Sequence, residues 1–242
     1  MPLRNSSALD SSFRPDSKPV LCYVTDRCGL PHTPQGELIE PLLEKIAAVA
    51  AAGIDWIQLR EKDLSGRDSA SLTREVLHRV SKQANHAQAA TRILVNERLD
   101  VALTERAGGV HIGEKSIPVA EAKRLLLAFQ AAQTLSHDFL VGVSCHSLDA
   151  AKSAASEGAD YVFFGPVFAT PSKATYGVPQ GLERLAELCG SITIPVLAIG
   201  GITLANVSSC LSAGASGIAA IRLFQDSADP AEIVRRLRQQ RF

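Results

Sequence analysis

The sequence has no surplus of charge of either sign. Lys and Arg together number 25, as do Asp and Glu, and this balance argues against a nucleic-acid footprint or a polybasic membrane contact. No apolar run approaches the ~20 residues that span a bilayer, so no membrane segment is expected. No C-x-x-C pair occurs. Cys22, Cys28, Cys145, Cys189 and Cys210 are odd in number and scattered. That pattern speaks against a disulfide framework or a structural zinc and fits a reduced, cytoplasmic chain. The first eighteen residues, MPLRNSSALDSSFRPDSK, contain no apolar h-region, so they do not read as a secretory signal. A poorly ordered tail is expected over 1–18. Residues 19–242 show no internal boundary and suffice for one single-core domain.

What is present is a rhythm. Eight short apolar runs, VLCYVTD, WIQLRE, ILVNE, GVHIGE, LVGVSCH, YVFFGPV, PVLAIGG and GIAAIRLF, alternate with longer segments of helical spacing such as ELIEPLLEKIAAVAAAG and SLDAAKSAASEG. The runs lack strict alternation, as strands buried on both faces do. In AAGIDWI, RAGGVHI, SEGADYV and SAGASGI a glycine stands at a helix end just before a strand. Gly53, Gly108, Gly158 and Gly214 therefore fit the left-handed position that closes a helix. Eight βα units in a chain of this size predict an α/β fold, a (β/α)8 TIM barrel.

Chemistry in such a barrel sits where the strands end. After the second run come Gln58, Arg60, Glu61, Lys62 and Asp63; after the third, Asn96 and Glu97; after the fourth, Glu114, Lys115 and Ser116; after the fifth, Ser144 and His146. The sixth leads into GPVFATPSKATYG, which contains Lys173. The seventh ends in Gly200 and Gly201, and Arg222 closes the eighth. Each has a plain structural reading: REKD as a solvated loop, Asn96 as a helix cap, the glycine pair as a tight turn. Their alignment at one mouth favours a site. Gly200 and Gly201 let a phosphate approach backbone N–H groups, with the next helix capped by Thr203 and Arg222 adding a fixed charge. Arg60, Lys62 and Lys173 suggest a second anionic group such as a diphosphate. Glu97 and Glu114, on adjacent strand ends, suit Mg2+ shared with substrate phosphates.

These segments (YVTD, QLREKD, VNERLDVAL, GVHIGEKSIP, VGVSCHS, GADYVFFGPVFATPSK, IPVLAIGGIT and AGASGIAAI) resemble, in order, the motifs of the thiamine phosphate synthase/TenI family over residues 20–226. The resemblance implies a (β/α)8 barrel of thiamine biosynthesis acting on phosphorylated small molecules. It implies pyrimidine diphosphate contacts at Gln58, Leu59, Arg60, Glu61, Lys62, Asn96, Ser144 and Lys173. It implies thiazole phosphate contacts at Thr170, Pro171, Ser172, Gly201 and the backbone of Ile221 and Arg222. The family's metal-binding aspartate after the third strand is Glu97 here. Its second metal ligand is replaced by Ser116, which supplies no negative charge, and Arg222 stands where a small residue is usual.

Two activities and one non-catalytic reading are weighed against these residues. A synthase joins hydroxymethylpyrimidine diphosphate to hydroxyethylthiazole phosphate, with Mg2+, Arg60, Lys62 and Lys173 neutralising the departing diphosphate. A TenI-type thiazole tautomerase needs a phosphate grip and a general acid/base, for which His146 is the candidate. A non-catalytic thiazole- or thiamine-phosphate-binding regulator would share the pocket without turnover.

Overall fold

In the computed structural model, residues 18–31, 38–83, 91–131, 138–170 and 178–240 are described. The expected tail over 1–18 lies outside them except for Lys18. Eight strands follow one another around a closed, all-parallel barrel: β1 (Val20–Val24), β2 (Trp56–Leu59), β3 (Arg92–Asn96), β4 (Gly109–Ile112), β5 (Leu140–Cys145), β6 (Tyr161–Phe164), β7 (Val196–Ile199) and β8 (Gly217–Ala220). The helices are α1 (Ile39–Ala51), α2 (Gly66–Gln83), α3 (Leu99–Thr104), α4 (Val119–Ala131), α5 (Leu148–Ser156), α6 (Gly181–Cys189), α7 (Val207–Ser212), α8 (Arg222–Gln225) and α9 (Pro230–Arg238). No helix among the described residues is long and apolar enough to cross a membrane.

Each strand serves two apolar layers because successive side chains face opposite sides. Leu21, Tyr23, Ile57, Leu59, Val141 and Val162 face outward against the helices. Cys22, Trp56, Leu94, Leu140, Tyr161, Phe163 and Leu197 fill the lumen. The helices start and stop for local reasons. Ser147 caps α5 by accepting from the Ala150 N–H at 3.1 Å, and Asp229 caps α9 by accepting from Glu232 N at 3.0 Å. Gly53, Gly158 and Gly214 take φ of 85°, 94° and 94° and close their helices as expected. Gly108 does not. Arg106 holds the left-handed position there (φ 55°), and Gly108 is bare because a Cβ would lie 2.4 Å from Arg92 Cγ.

The rim where the strands begin is laced with charge. Asp55, one residue before β2, accepts from Leu21 N and from Arg238, both at 2.7 Å. Asp160, one residue before β6, accepts from Val141 N at 2.6 Å and from Lys123 at 2.5 Å. The Arg92 guanidinium donates to the carbonyls of Gly108 and Asp138. The β1 and β2 entries are thereby tied together and to α9, and the β5 and β6 entries together and to α4.

Candidate active site

At the opposite rim the lumen turns polar. Gln58 is buried, and its amide donates to Asn96 Oδ1 at 2.8 Å. Asn96 is therefore not a helix cap; α3 starts at Leu99, with Arg98 before it. The Asn96 amino group has no acceptor among the described residues. Beside it, Ser144 Oγ lies 2.8 Å from His111 Nε2, and His111 Nδ1 lies 3.0 Å from the Tyr161 hydroxyl.

The stretch after β2 splits by charge. Glu61 turns inward, accepting from the Thr25 hydroxyl at 2.6 Å, from Arg27 N and from the Arg27 guanidinium at 3.1 Å. Burial pushes the Glu61 carboxyl up, and these donors oppose the push. Arg27 also grips both oxygens of Asp63, at 2.6 and 2.5 Å. The two anions are thus consumed by one arginine, and the alternate residues Arg60 and Lys62 have no ion pair among the described residues. Leu59 and Glu61, which the resemblance places among the pyrimidine diphosphate contacts, have their side chains engaged elsewhere. Leu59 packs outward against the helices, and Glu61 is spent on Thr25 and Arg27.

Between β7 and β8 lies a cavity of about 290 Å³, lined by Thr170, Gly200, Gly201, Thr203, Ile221 and Arg222, with Asp26 and Gln225 at its β1 side. The N–H groups of Gly201, Ile202 and Arg222 donate to no acceptor among the described residues. Both glycines are demanded by the fold before any ligand is considered. Their φ values are 94° and 67°, and a Cβ would lie 2.6 Å from Pro166 at Gly200 and 2.7 Å from Phe168 Cβ at Gly201. Two expectations change here. Arg222 does not close β8 but opens α8. Thr203 does not cap α7. Asn206 precedes that helix, accepting from Thr203 N at 2.8 Å and donating to Gly201 O at 2.9 Å. Gln225, buried, accepts from the Tyr23 hydroxyl and Asp26 N, and so ties the cavity wall to β1.

His146 sits half-buried after β5. Its Nδ1 lies 2.5 Å from the Gly165 carbonyl, which can only accept. Nδ1 is therefore the donor in that contact. Glu97 adopts φ 60°, and Gly113 leaves room for its carboxylate, since a Cβ there would lie 3.0 Å from Oε1. Glu114 accepts from His146 N at 2.6 Å, which commits one of its two oxygens. Ser116 N donates to Gly113 O at 3.0 Å. Among the described residues no cluster of three or more His, Cys, Asp or Glu side chains assembles as a protein-only metal cage. Pro171, Ser172 and Lys173 lie outside the described residues.

Comparison with known proteins fits this geometry. The family model for thiamine monophosphate synthase matches residues 31–224. The chain belongs to the thiamine monophosphate synthase family. A putative thiamine-phosphate synthase of Geobacter sulfurreducens is 41% identical over 217 residues, covering 90% of this chain and 92% of that one. A thiamine-phosphate synthase of Methanoculleus marisnigri is 42% identical over 189 residues, covering 78% and 82%. Among solved structures, a thiamine phosphate pyrophosphorylase from Pyrococcus furiosus superposes with a TM-score of 0.72 at 29% identity, covering 91% and 94% of the two chains. A 3-hexulose-6-phosphate synthase, at 19% identity and a TM-score of 0.63, shares the fold. In this member of the thiamine monophosphate synthase family, sequence reasoning missed Arg27, Gln225, His111 and Tyr161. A signal existed for His111: it is the one titratable side chain inside the otherwise apolar run GVHI.

Proposed function

We propose that this chain is a thiamine-phosphate synthase, which joins hydroxymethylpyrimidine diphosphate to hydroxyethylthiazole phosphate and releases pyrophosphate. The observation that carries the reading is the surplus of unanswered donors on one rim. Arg60 and Lys62 stand beside β2, and Arg222 with three backbone N–H groups stands at the β7–β8 cavity; none has an acceptor among the described residues. Two such corners suit two phosphorylated substrates held side by side.

In this reading the bond between the pyrimidine methylene and the diphosphate oxygen breaks first. The electron pair leaves with the diphosphate, and the thiazole nitrogen lone pair then forms the new C–N bond. Arg60 and Lys62 stabilise the charge gathering on the leaving oxygens, a contribution that grows along the reaction coordinate. Asn96 and Ser144 orient the ring, and the β7–β8 cavity fixes the thiazole phosphate. The donor set also fits Mg2+ when it is shared with a substrate. Glu97 and the uncommitted oxygen of Glu114 are hard ligands, and Mg2+ is commonly held by one or two carboxylates beside substrate phosphates and water. When bound, the ion would neutralise diphosphate charge. A cytoplasmic location is in keeping with this reading.

A second reading rests on His146. Its Nδ1 donates to the Gly165 carbonyl, which orients the ring and leaves Nε2 as the nitrogen that would move a proton in a thiazole tautomerase. One experiment separates the two. Purified protein with both synthase substrates and Mg2+ is expected to yield thiamine phosphate and pyrophosphate. No product, together with proton exchange on a thiazole phosphate carboxylate that His146→Ala abolishes, would replace the first reading with the second.

A further inference from the structure

Beneath Ser144 lies a polar chain that the proposed reaction does not yet use. Tyr161 and His111 are 0% and 1% exposed. Trp56 packs at a tilt against Tyr161 with ring centroids 4.7 Å apart, and Phe163 covers the His111 ring at 4.2 Å. The barrel keeps Gly142 bare for this arrangement, since a Cβ there would lie 1.9 Å from Tyr161 Cζ. Both rings are therefore locked, and with them the positions of the phenol oxygen and both imidazole nitrogens.

Such a chain has a direction, fixed at its buried end. A fully buried hydroxyl must place its hydrogen on an acceptor. Burial also raises the Tyr161 phenol well above its ordinary value, so the hydrogen stays on oxygen. Among the described residues the only hydrogen-bond partner of that hydroxyl is His111 Nδ1. Tyr161 therefore donates, Nδ1 accepts, and the imidazole proton sits on Nε2. Nε2 then donates to Ser144 Oγ. The Ser144 hydroxyl is left with its own hydrogen, which has no acceptor among the described residues.

We propose that Tyr161 and His111 are positioning residues that hold the Ser144 hydroxyl as a hydrogen-bond donor toward the barrel mouth, so that this subsite takes an acceptor atom of an aromatic ring. Ser144 lies within the strand, whereas Arg60 and Lys62 follow the end of theirs. The cations meet the diphosphate, and Ser144 meets the ring below it. The identity of that ring as the aminopyrimidine rests on the synthase reading. The preferred atom is then a ring nitrogen rather than the exocyclic amino group, which would set two donors against each other.

The relay is tested without turnover. Nitrogen NMR of the full chain labelled at histidine, with the His111 signals assigned by their loss in His111→Gln, is expected to show the proton on Nε2. In Tyr161→Phe that preference should weaken. A wild-type proton on Nδ1 overturns the proposal. In kinetics, Tyr161→Phe is expected to lower kcat/KM for the pyrimidine diphosphate about fivefold, the usual scale for one hydrogen bond. It should have no further effect in a Ser144→Ala background, whereas penalties that multiply would show that Tyr161 acts independently of Ser144. Deaza analogues of hydroxymethylpyrimidine diphosphate, with each ring nitrogen replaced in turn by C–H, give the last measure. One analogue should bind about tenfold more weakly to the wild type, and neither should lose affinity in Ser144→Ala. Equal binding of both to the wild type overturns the acceptor assignment. A chain with the Nε2 proton but no thiamine phosphate formation removes the synthase reading and leaves the relay standing.

Discussion

The two rims of this barrel are built from the same residue types and use them oppositely. Where the strands begin, Asp55 is answered by Arg238 and a backbone N–H, Asp160 by Lys123 and another, and Arg92 by two carbonyls. Where the strands end, the side chains of Arg60, Lys62, Arg222 and Glu97 have no hydrogen bond or ion pair to a described residue. Even at that mouth the charges divide: Arg27 absorbs Glu61 and Asp63 and leaves their cationic neighbours unanswered. A paired charge near the chain's own backbone stabilises the fold, and an unpaired one is held for something that arrives from solution. The difference lies in the partner, and the residue list alone does not show it.

The largest effect that sharpens this contrast is loss of turnover without loss of stability. Arg60→Ala and Lys62→Ala are each expected to lower kcat by about a hundredfold or more, as removal of a group that stabilises developing charge does. Their melting temperatures should stay near that of the wild type, because neither side chain holds a described partner. Parallel assays of thiamine phosphate formation and thermal unfolding check this. A large fall in stability with the loss of activity would break the contrast.

The converse belongs to the other rim. Asp160→Ala strands the Val141 N–H and the Lys123 ammonium in a half-buried place and is expected to cost about 1–3 kcal/mol of stability. Denaturant unfolding measures the loss. Per folded molecule, kcat should not change.

A smaller and more selective effect is expected at the β7–β8 cavity. Arg222→Ala should raise KM for the thiazole phosphate about tenfold, the scale of one charge-assisted hydrogen bond, with little change in KM for the pyrimidine diphosphate. Arg222 is a better probe of this corner than Gly201. A side chain at Gly201 would collide with Phe168 Cβ and the Ala169 carbonyl, so Gly201→Val would report on folding rather than on phosphate.

Much of this was legible in the sequence, for physical reasons that also mark its limits. The eight strands stood out because a sheet covered on both faces has few polar positions to break its apolar runs. The end of β8 was not legible. In GIAAIRLF the apolar character continues through Leu223 and Phe224 although the chain has already entered α8, and short apolar runs do not distinguish a strand from a buried helical turn. Gly200 and Gly201 were noticed for what a phosphate would ask of them, while close packing against Pro166 and Phe168 already requires both. Arg27 and its two carboxylates are more than thirty residues apart in sequence, and His111, Ser144 and Tyr161 meet only because the sheet closes. No local pattern encodes those meetings.

The smallest effect concerns the proposed metal position. Glu97 and Ser116 both adjoin Gly113, Glu97 through its carboxylate oxygen and Ser116 through its N–H to the Gly113 carbonyl. The resemblance implies a carboxylate at the Ser116 position, and here a neighbouring one, Glu114, has already given one oxygen to His146 N. A Mg2+ ion shared with the substrate diphosphate would therefore rest mainly on Glu97. Ser116→Asp adds a second full carboxylate beside Gly113 and is expected to lower the Mg2+ concentration for half-maximal turnover by about tenfold at most, since waters and phosphate oxygens already fill part of an octahedral shell. Glu97→Gln should move the same quantity in the opposite direction. Both are read by titrating Mg2+ into chelator-treated enzyme with saturating substrates. Turnover indifferent to chelator and to Glu97→Gln would remove the metal from the mechanism. Arg60, Lys62 and Arg222 would then be left to neutralise the diphosphate, and the contrast between the rims would rest on side chains alone.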